Sequence, residues 1–208
     1  MATPEIVGEP MLVTGTTAYG LGFDFYIPSG LTNTLLWVFC GFRYTGTGSS
    51  GVQIRVDGQY ASLSGSSGTG TPDTQRFNTQ QFANLGAGIR RVHVEPTSVP
   101  GYIESVVMCA GLLRNAGTAT LNTISSNPVG SGATLATQHE IAVYWSYGSS
   151  SISSGSAQSL LSVDVLPDSL GSLEIVARKS ATLFPYYGFN VSGEVSKLGA
   201  LIAVPYAA

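Results

Sequence analysis

A single uncharged apolar run at residues 34–42, with the sequence TLLWVFCGF, limits the possible folds of this chain more than any other segment. A helix that spans a membrane needs about 20 such residues in a row, whereas this run is closed by Asn33 and Arg43. Its aromatic and β-branched residues and its glycine favour a strand over a buried helix. A short run of this kind predicts a strand with both faces buried.

Segments with the pattern of strands recur along the rest of the chain. Residues 106–113 and 198–204 are similar apolar runs, and they predict two further central strands. A helical pattern is weak, because the best candidate, at residues 80–85, is too short to be stable alone. Other segments alternate apolar and polar residues with a period of two, which is typical of half-buried strands, at 23–27, 52–56, 90–95, 141–147, 161–165 and 173–178.

These elements predict an all-β fold, an antiparallel β-sandwich of the jelly-roll type with about ten to twelve strands and no significant helix. Two sheets would bury the three apolar runs and the apolar sides of the alternating strands between them. A chain of 208 residues fits one domain of this class. We therefore expect a single β-sandwich domain at residues 21–208, preceded by an extended N-terminal arm at residues 1–20.

Turn and loop signals separate the predicted strands. Asp57 and Gly58 directly follow residues 52–56, and they predict a type I′ hairpin whose second strand covers residues 60–63. Stretches rich in glycine, serine and threonine predict flexible loops at residues 64–71, 115–134 and 148–156. No stretch is long enough to predict a linker between two domains.

Charge is scarce, and its distribution argues against nucleic acid as a partner. Charged residues make up 10% of the chain, against about 25% in ordinary soluble domains, yet a hydrophobic content of 43% is too high for a disordered chain. The net charge is −3, and the closest basic groupings are residues 90–91 and 178–179. Both pairs lie in predicted strands, where neighbouring side chains point to opposite faces, so no basic surface of a nucleic-acid binder is predicted.

The cysteines and a glycine motif yield no metal or cofactor prediction. Cys40 and Cys109 lie within apolar runs and are predicted to be buried free thiols, although a disulfide stays open if their strands are adjacent. With two cysteines and two histidines widely scattered, no metal site is predicted. Residues 46–51 match G-x-G-x-x-G, but a strand follows instead of a helix, so no dinucleotide cofactor is expected.

Residues with catalytic potential are present but form no recognisable motif. There is neither a G-x-S-x-G elbow nor a P-loop lysine pattern. His93 and His139 are the only candidate bases for a triad, which sequence alone does not exclude, and each also fits an exposed or strand-end histidine. The chain is therefore predicted not to be an enzyme. Tyr186 and Tyr187 are the candidate residues for contact with a glycan or another surface, although such rings also pack in cores.

The N-terminus and the order of features bear on where the protein is made and what it resembles. The start MATPEIVGEP has acids and prolines in place of a basic and then apolar leader, so synthesis in a cytoplasm is expected. Residues 29–113 carry, in order, SGLTNTLLWVFCGF, a Gly/Ser loop, the VQIRVDGQ hairpin, AGIRRVHVEP and ESVVMCAGLL. This order resembles a loose group of sandwich proteins found in the virions of tailed bacteriophages and prophages.

The resemblance implies a non-enzymatic structural component of a bacteriophage-like virion. Such proteins are capsid decoration, head fibres or spikes, or tail-associated parts, displayed on the particle and made in the bacterial host cytoplasm. The implied partners are further copies of this chain and other virion proteins such as capsid or tail, with no membrane partner. A high apolar content beside few charges agrees with a homo-oligomer. The alternatives are a carbohydrate-binding module or adhesin on host surface polysaccharide, and a hydrolase that uses a histidine.

Overall fold

The computed structural model describes part of the chain, and that part is all-β. The described residues are 4–15, 21–44, 52–60, 63–69, 75–97, 103–117, 120–124, 139–146, 152–153, 158–166, 171–179, 190–191 and 197–204. Every regular element in these ranges is a strand, and every recorded strand pairing between them is antiparallel. The prediction of an antiparallel all-β fold is confirmed for these residues.

The described parts of the chain contain fifteen strands. They are β1 (Glu5–Gly15), β2 (Gly22–Ile27), β3 (Leu35–Tyr44), β4 (Val52–Val56), β5 (Leu63–Thr69), β6 (Gln75–Ala83), β7 (Gly88–Pro96), β8 (Ile103–Arg114), β9 (Thr120–Ile124), β10 (His139–Ser146), β11 (Ile152–Ser153), β12 (Gln158–Leu166), β13 (Gly171–Lys179), β14 (Asn190–Val191) and β15 (Lys197–Val204). All three apolar runs lie in strands, β3, β8 and β15, as predicted.

Three larger sheets are stacked with one of them in the middle. The central sheet has the order β1-β8-β3-β6-β5, the front sheet has the order β2-β7-β4, and the back sheet has the order β12-β13-β10-β15-β9. A short pair, β11-β14, completes the described pairings. The back sheet is aligned with the central one, because β12 contacts β1 and β9 contacts β5 at opposite edges.

Both faces of the central sheet are buried, which explains the apolar runs. On β3, Leu36 and Val38 pack against the front sheet, whereas Trp37 and Phe39 pack against the back sheet. The burial of residues 34–42 on both faces is therefore confirmed. The expected sandwich has two layers, and the structure adds a third, because a strand that is apolar on both faces must be covered on both.

The front core is the layer between the central and front sheets. It consists of the buried residues Phe23, Phe25, Ile27, Leu36, Val38, Cys40, Phe42, Val52, Ile54, Val56, Phe82, Val92, Val94, Val106, Met108, Ala110 and Leu112. In the front sheet these positions alternate with polar ones, so the period-two segments that supply them are half-buried strands, as predicted.

The back core is the layer between the central and back sheets. It consists of the buried residues Leu35, Trp37, Phe39, Phe77, Val107, Cys109, Leu113, Ala116, Val143, Trp145, Leu166, Leu173 and Ile175. Two glycines of the central sheet make room for its tryptophans. A Cβ on Gly41 would lie 2.4 Å from Cε3 of Trp145, and one on Gly111 would lie 2.4 Å from Cζ2 of Trp37. Each indole therefore sits directly on backbone that has no side chain.

The predicted turn after β4 is present, but its second strand is not where it was expected. Asp57 and Gly58 have φ values of 50° and 76°, as a type I′ turn requires, and Val56 bridges to Gln59. The chain then leaves the front sheet: β4 pairs with β7, and β5 pairs with β6 in the central sheet. The predicted hairpin partner at 60–63 is therefore wrong, because Leu63 begins β5 and pairs with Gln81 of β6 instead of with β4.

Several stretches that were predicted to be irregular form strands. Residues 64–69 of β5, residues 120–124 (β9) and residues 152–153 (β11) fall within the expected loops. β5 and β9 lie at sheet edges, where backbone hydrogen bonds to one neighbour hold a strand of small polar residues that composition assigns to a loop.

The N-terminal segment also belongs to a sheet. Residues 5–15, within the expected arm, form β1 and pair with β8. Arg114 donates from Nε to Oε2 of Glu5 at 2.8 Å and ties the two strands together. The register shifts between Val7 and Met11, and a bulge of this kind is a common feature of edge strands.

Candidate functional site

The outer face of the front sheet gathers polar and aromatic side chains on one surface. Alternation sends Val52, Ile54 and Val56 of β4 into the front core, so the intervening residues of each strand point outward. We call this surface the outer face; it consists of Asp24, Tyr26, Gln53, Arg55, Ile89, Arg91, His93 and Glu95, with Tyr60 just after the β4 turn.

Four of these residues form a connected network, which we call the Arg55 cluster: Arg55, Tyr60, His93 and Glu95. Arg55 lies directly opposite His93 in the β4–β7 register. Its Nε is 2.9 Å from Oε2 of Glu95, and its Nη2 donates to the Tyr60 hydroxyl at 2.9 Å. The guanidinium carbon also lies 4.3 Å from the centre of the Tyr60 ring. Nε2 of His93 completes the network 3.3 Å from Oε1 of Glu95.

Exposure differs within the Arg55 cluster. Tyr60 is 55% exposed and the Glu95 side chain 43%, whereas the Arg55 and His93 side chains are 26% and 24% exposed. The ring and the carboxylate are therefore accessible, with the two basic groups beneath them. Gly22 of β2 lies opposite His93, where a Cβ would be 2.9 Å from the histidine Cβ. Because Gly22 has no side chain, the His93 side chain has space to lie beside Glu95.

A second network joins the β4 turn to β7. Asp57 accepts from the backbone N–H of Arg91 at 2.8 Å and from Nη1 of Arg90 at 3.0 Å. The hydrogen bond from Arg91 is the main reason that the pKa of Asp57 is lowered; Arg90 adds to it and partial burial opposes it. Arg91 pairs instead with Asp24, at 3.2 Å on the outer face. The two arginines thus point away from each other, as predicted from strand alternation.

An apolar pair stands at the other end of the outer face. Tyr26 on β2 lies directly opposite Ile89 on β7. Tyr26 is 62% exposed and Ile89 is 69% exposed. A neighbouring tyrosine and isoleucine exposed to this degree form a small apolar patch of the kind used in contacts between proteins.

The two cysteines lie on adjacent strands but on opposite faces of the central sheet. In the β3–β8 register Cys40 is opposite Met108, and Cys109 is opposite Phe39. An offset of one residue sends the two thiols to different cores, so they are free and buried, not bonded. Burial raises the pKa of both thiols, and that of Cys109 is raised further by Cys40. A thiol in this state is unreactive.

The structure tests some of the sequence candidates and leaves others aside. His93 is brought beside an acid, Glu95. His139 begins β10 opposite Lys179 and Val204, and nothing further is described of its side chain. Tyr186 and Tyr187 lie outside the described residues, and so does the glycine motif at residues 46–51.

The accessible tyrosines of the outer face, Tyr26 and Tyr60, were not predicted from the sequence as candidate contact residues. Tyr60 follows a turn and lies in no alternating segment, so periodicity does not report it. Tyr26 does carry a signal, because it is a large apolar residue between Phe25 and Ile27, which point into the core.

Neither a metal site nor a membrane helix is found in the described ranges. No group of three or more His, Cys, Asp or Glu residues there is placed to hold a metal ion, and no helix among those residues is long and apolar enough to cross a membrane. No protein-family model matches the chain, and no curated protein or solved structure is significantly similar to it.

Proposed function

We propose that β1 to β8 form a jelly roll and that the chain is a non-enzymatic structural component of a bacteriophage-like virion. In a jelly roll the strands fold as a wrapped long hairpin, so the first strand pairs with the last, the second with the seventh and the third with the sixth. Pairings β1·β8, β2·β7 and β3·β6 follow this rule. The cross-pairings β8·β3 and β7·β4 complete the two facing sheets.

One strand departs from the ideal jelly-roll order. The fourth and fifth strands of a jelly roll pair with each other, whereas β5 pairs with β6 at the edge of the central sheet. β4 ends at Val56 in the front sheet, and β5 begins at Leu63 in the central sheet. This departure affects one edge and leaves the order β1-β8-β3-β6 facing β2-β7-β4 intact.

The strand order is the observation that carries the functional proposal. Jelly rolls are a recurrent architecture of viral capsid and lectin domains, and the sequence order of residues 29–113 resembles virion sandwich proteins. A fold is shared by many functions, so the support is a likeness of architecture combined with that resemblance. On this proposal the protein is displayed on the particle as capsid decoration, a head fibre or a tail-associated part, together with other virion proteins.

Assembly as a homo-oligomer is part of the proposal, and the Tyr26–Ile89 pair supports it. Substituting Ile89→Asp places a charge in this apolar patch without touching either core. We expect the wild-type chain to give a multiple of its 21.6 kDa mass in size-exclusion chromatography with light scattering, and the variant to shift toward the monomer. Thr97→Asp, on an exposed residue just beyond β7, is the control and should keep the wild-type mass.

The virion role is tested by fractionating the source lysate on a density gradient. Mass spectrometry of the DNA-containing particle band should find this chain at a constant copy ratio to the major capsid protein. A ratio near that of the capsid protein indicates decoration, and a ratio of a few copies per particle indicates a tail part. Recovery only at the top of the gradient, as free protein, would overturn the proposal.

A further inference from the structure

We infer that the Arg55 cluster, with Gln53 beside it, is a binding site for an uncharged sugar unit of an oligosaccharide. In this site the Tyr60 ring is the stacking platform. The inference adds a ligand site to the proposed structural role and does not depend on that role, because it rests on side chains of the outer face alone.

Tyr60 has the properties of a stacking platform. The ring is 55% exposed, and the Arg55 guanidinium packs against one face of it at 4.3 Å while donating to its hydroxyl. These two contacts hold the ring in one orientation before any ligand arrives, so less conformational entropy is lost on binding. A tyrosine of this kind offers an apolar surface with a polar rim, which matches the C–H face and the hydroxyl edge of a pyranose.

Hydrogen-bonding groups occupy the next outward-facing pair of the sheet after Arg55 and His93. Glu95 is accessible, and it lies directly opposite Gln53 on β4. A carboxylate accepts and an amide both donates and accepts, so together they match a pair of neighbouring sugar hydroxyls. The ion pair of Arg55 with Glu95 fixes the carboxylate, and His93 touches its second oxygen at 3.3 Å. A few fixed polar groups around an aromatic surface are the usual composition of a ligand site.

The charge of the cluster selects the ligand class. Arg55 and Glu95 compensate each other at 2.9 Å, so the site has no excess positive charge for a phosphate, sulfate or uronate group. An open sheet face also buries less of a ligand than a deep cleft does. We therefore expect uncharged sugars to bind with a dissociation constant of about 1 mM.

The test is an NMR titration of the isolated 208-residue chain labelled with ¹⁵N. The probes are cellohexaose, maltohexaose and mannohexaose as uncharged oligosaccharides, and a heparin hexasaccharide as the anionic one. At least one uncharged probe should shift the amide signals of Gln53, Arg55 and Tyr60 in a saturable manner. Tyr60→Ala should weaken that binding about tenfold or more, and Tyr60→Phe, which keeps the ring, should retain most of it.

Asp24→Ala is the control, because the Asp24 side chain is 61% exposed on the outer face and lies outside the cluster. The affinity of this variant for the probe should equal that of the wild type. The inference is overturned if none of the uncharged probes shifts these signals, if the heparin probe binds more tightly than they do, or if Asp24→Ala weakens binding as much as Tyr60→Ala. Because the titration uses the free protein, each of these results leaves the particle experiment unaffected.

Discussion

The front and back cores share the strands of the central sheet but are packed by different means. The front core is built from Phe, Met, Cys and aliphatic side chains, and no described glycine makes room for one of these side chains. The back core holds both tryptophans of the chain, Trp37 and Trp145, and each stands against a glycine, Gly111 or Gly41. The front core is therefore filled by many side chains of moderate size, whereas the back core depends on the close fit of its two indole rings.

A buried amide marks the second difference between the cores. Gln81 is fully buried, lies opposite Trp37 and shares its side of β6 with Phe77 of the back core. Neither polar atom of its side chain has a hydrogen-bond partner in the part of the chain that the structure describes. The back core thus combines a close steric fit with an unsatisfied polar group. We expect it to tolerate substitutions less well than the front core and to open at a lower free energy.

The largest expected effect comes from adding a side chain at a glycine against which a tryptophan packs. Gly41→Val directs a branched side chain into the Trp145 ring, since even a Cβ would lie 2.4 Å from it. We expect unfolding free energy to fall by about 3 kcal/mol or more, measured by urea denaturation followed by circular dichroism. Cys40→Val, the adjacent residue that faces the front core, is the control and should cost less than about 1.5 kcal/mol. Equal losses of unfolding free energy in the two variants would mean that the two cores tolerate substitution equally well.

The next effect is a gain in stability from removing the buried amide. Gln81→Leu replaces two unsatisfied polar atoms with a hydrocarbon of similar size in the back core. We expect the free energy of unfolding to rise by about 1–2 kcal/mol in urea denaturation. Gln80→Leu is the matched control. Gln80, the neighbour of Gln81 on β6, is only half-buried and has one unpartnered buried atom, Oε1, where Gln81 has two, so this variant should gain less. A loss of stability in Gln81→Leu would show that the amide is satisfied.

The cysteines allow the opening of each core to be measured separately. Cys40→Ala leaves Cys109 as the reporter of the back core, and Cys109→Ala leaves Cys40 as the reporter of the front core. We expect 4,4′-dithiodipyridine to label Cys109 about tenfold faster than Cys40 in the native state, a difference of about 1.4 kcal/mol in opening free energy. Equal native rates, after both are normalised to their rates in urea, would mean that the cores open only together.

The smallest effect is a pH dependence confined to the front side. The pKa of Asp57 is lowered in the folded state, so its contribution to stability is complete above the ordinary value of about 3.9. That contribution is lost as the pH falls through the lowered pKa, where the folded protein takes up the proton. Labelling of Cys40 should accelerate on acidification below about pH 4, and Asp57→Asn should weaken this response. If Cys40 labelling in Asp57→Asn accelerates on acidification as much as it does in the wild type, another group is responsible for the pH dependence.

Sequence patterns were sufficient wherever a local rule decides the structure. Residues 35–42 carry no polar side chain, so both faces had to be buried, and β3 lies in the middle of the stack. The turn at Asp57 and Gly58 was predictable because left-handed backbone selects these residue types. The Gly/Ser-rich β5 was not predictable, because an edge strand is held by backbone hydrogen bonds that its side chains do not report.

The sequence by itself determined that the chain is made of strands and which side of each half-buried strand faces a core, because alternation follows from strand geometry alone. Only the tertiary structure decided which strands pair and in which register. A shift of one residue sends Cys40 and Cys109 to opposite cores and prevents a disulfide. Register also brings Arg55 beside His93 and Glu95, and contacts between residues so distant in sequence leave no trace in local pattern.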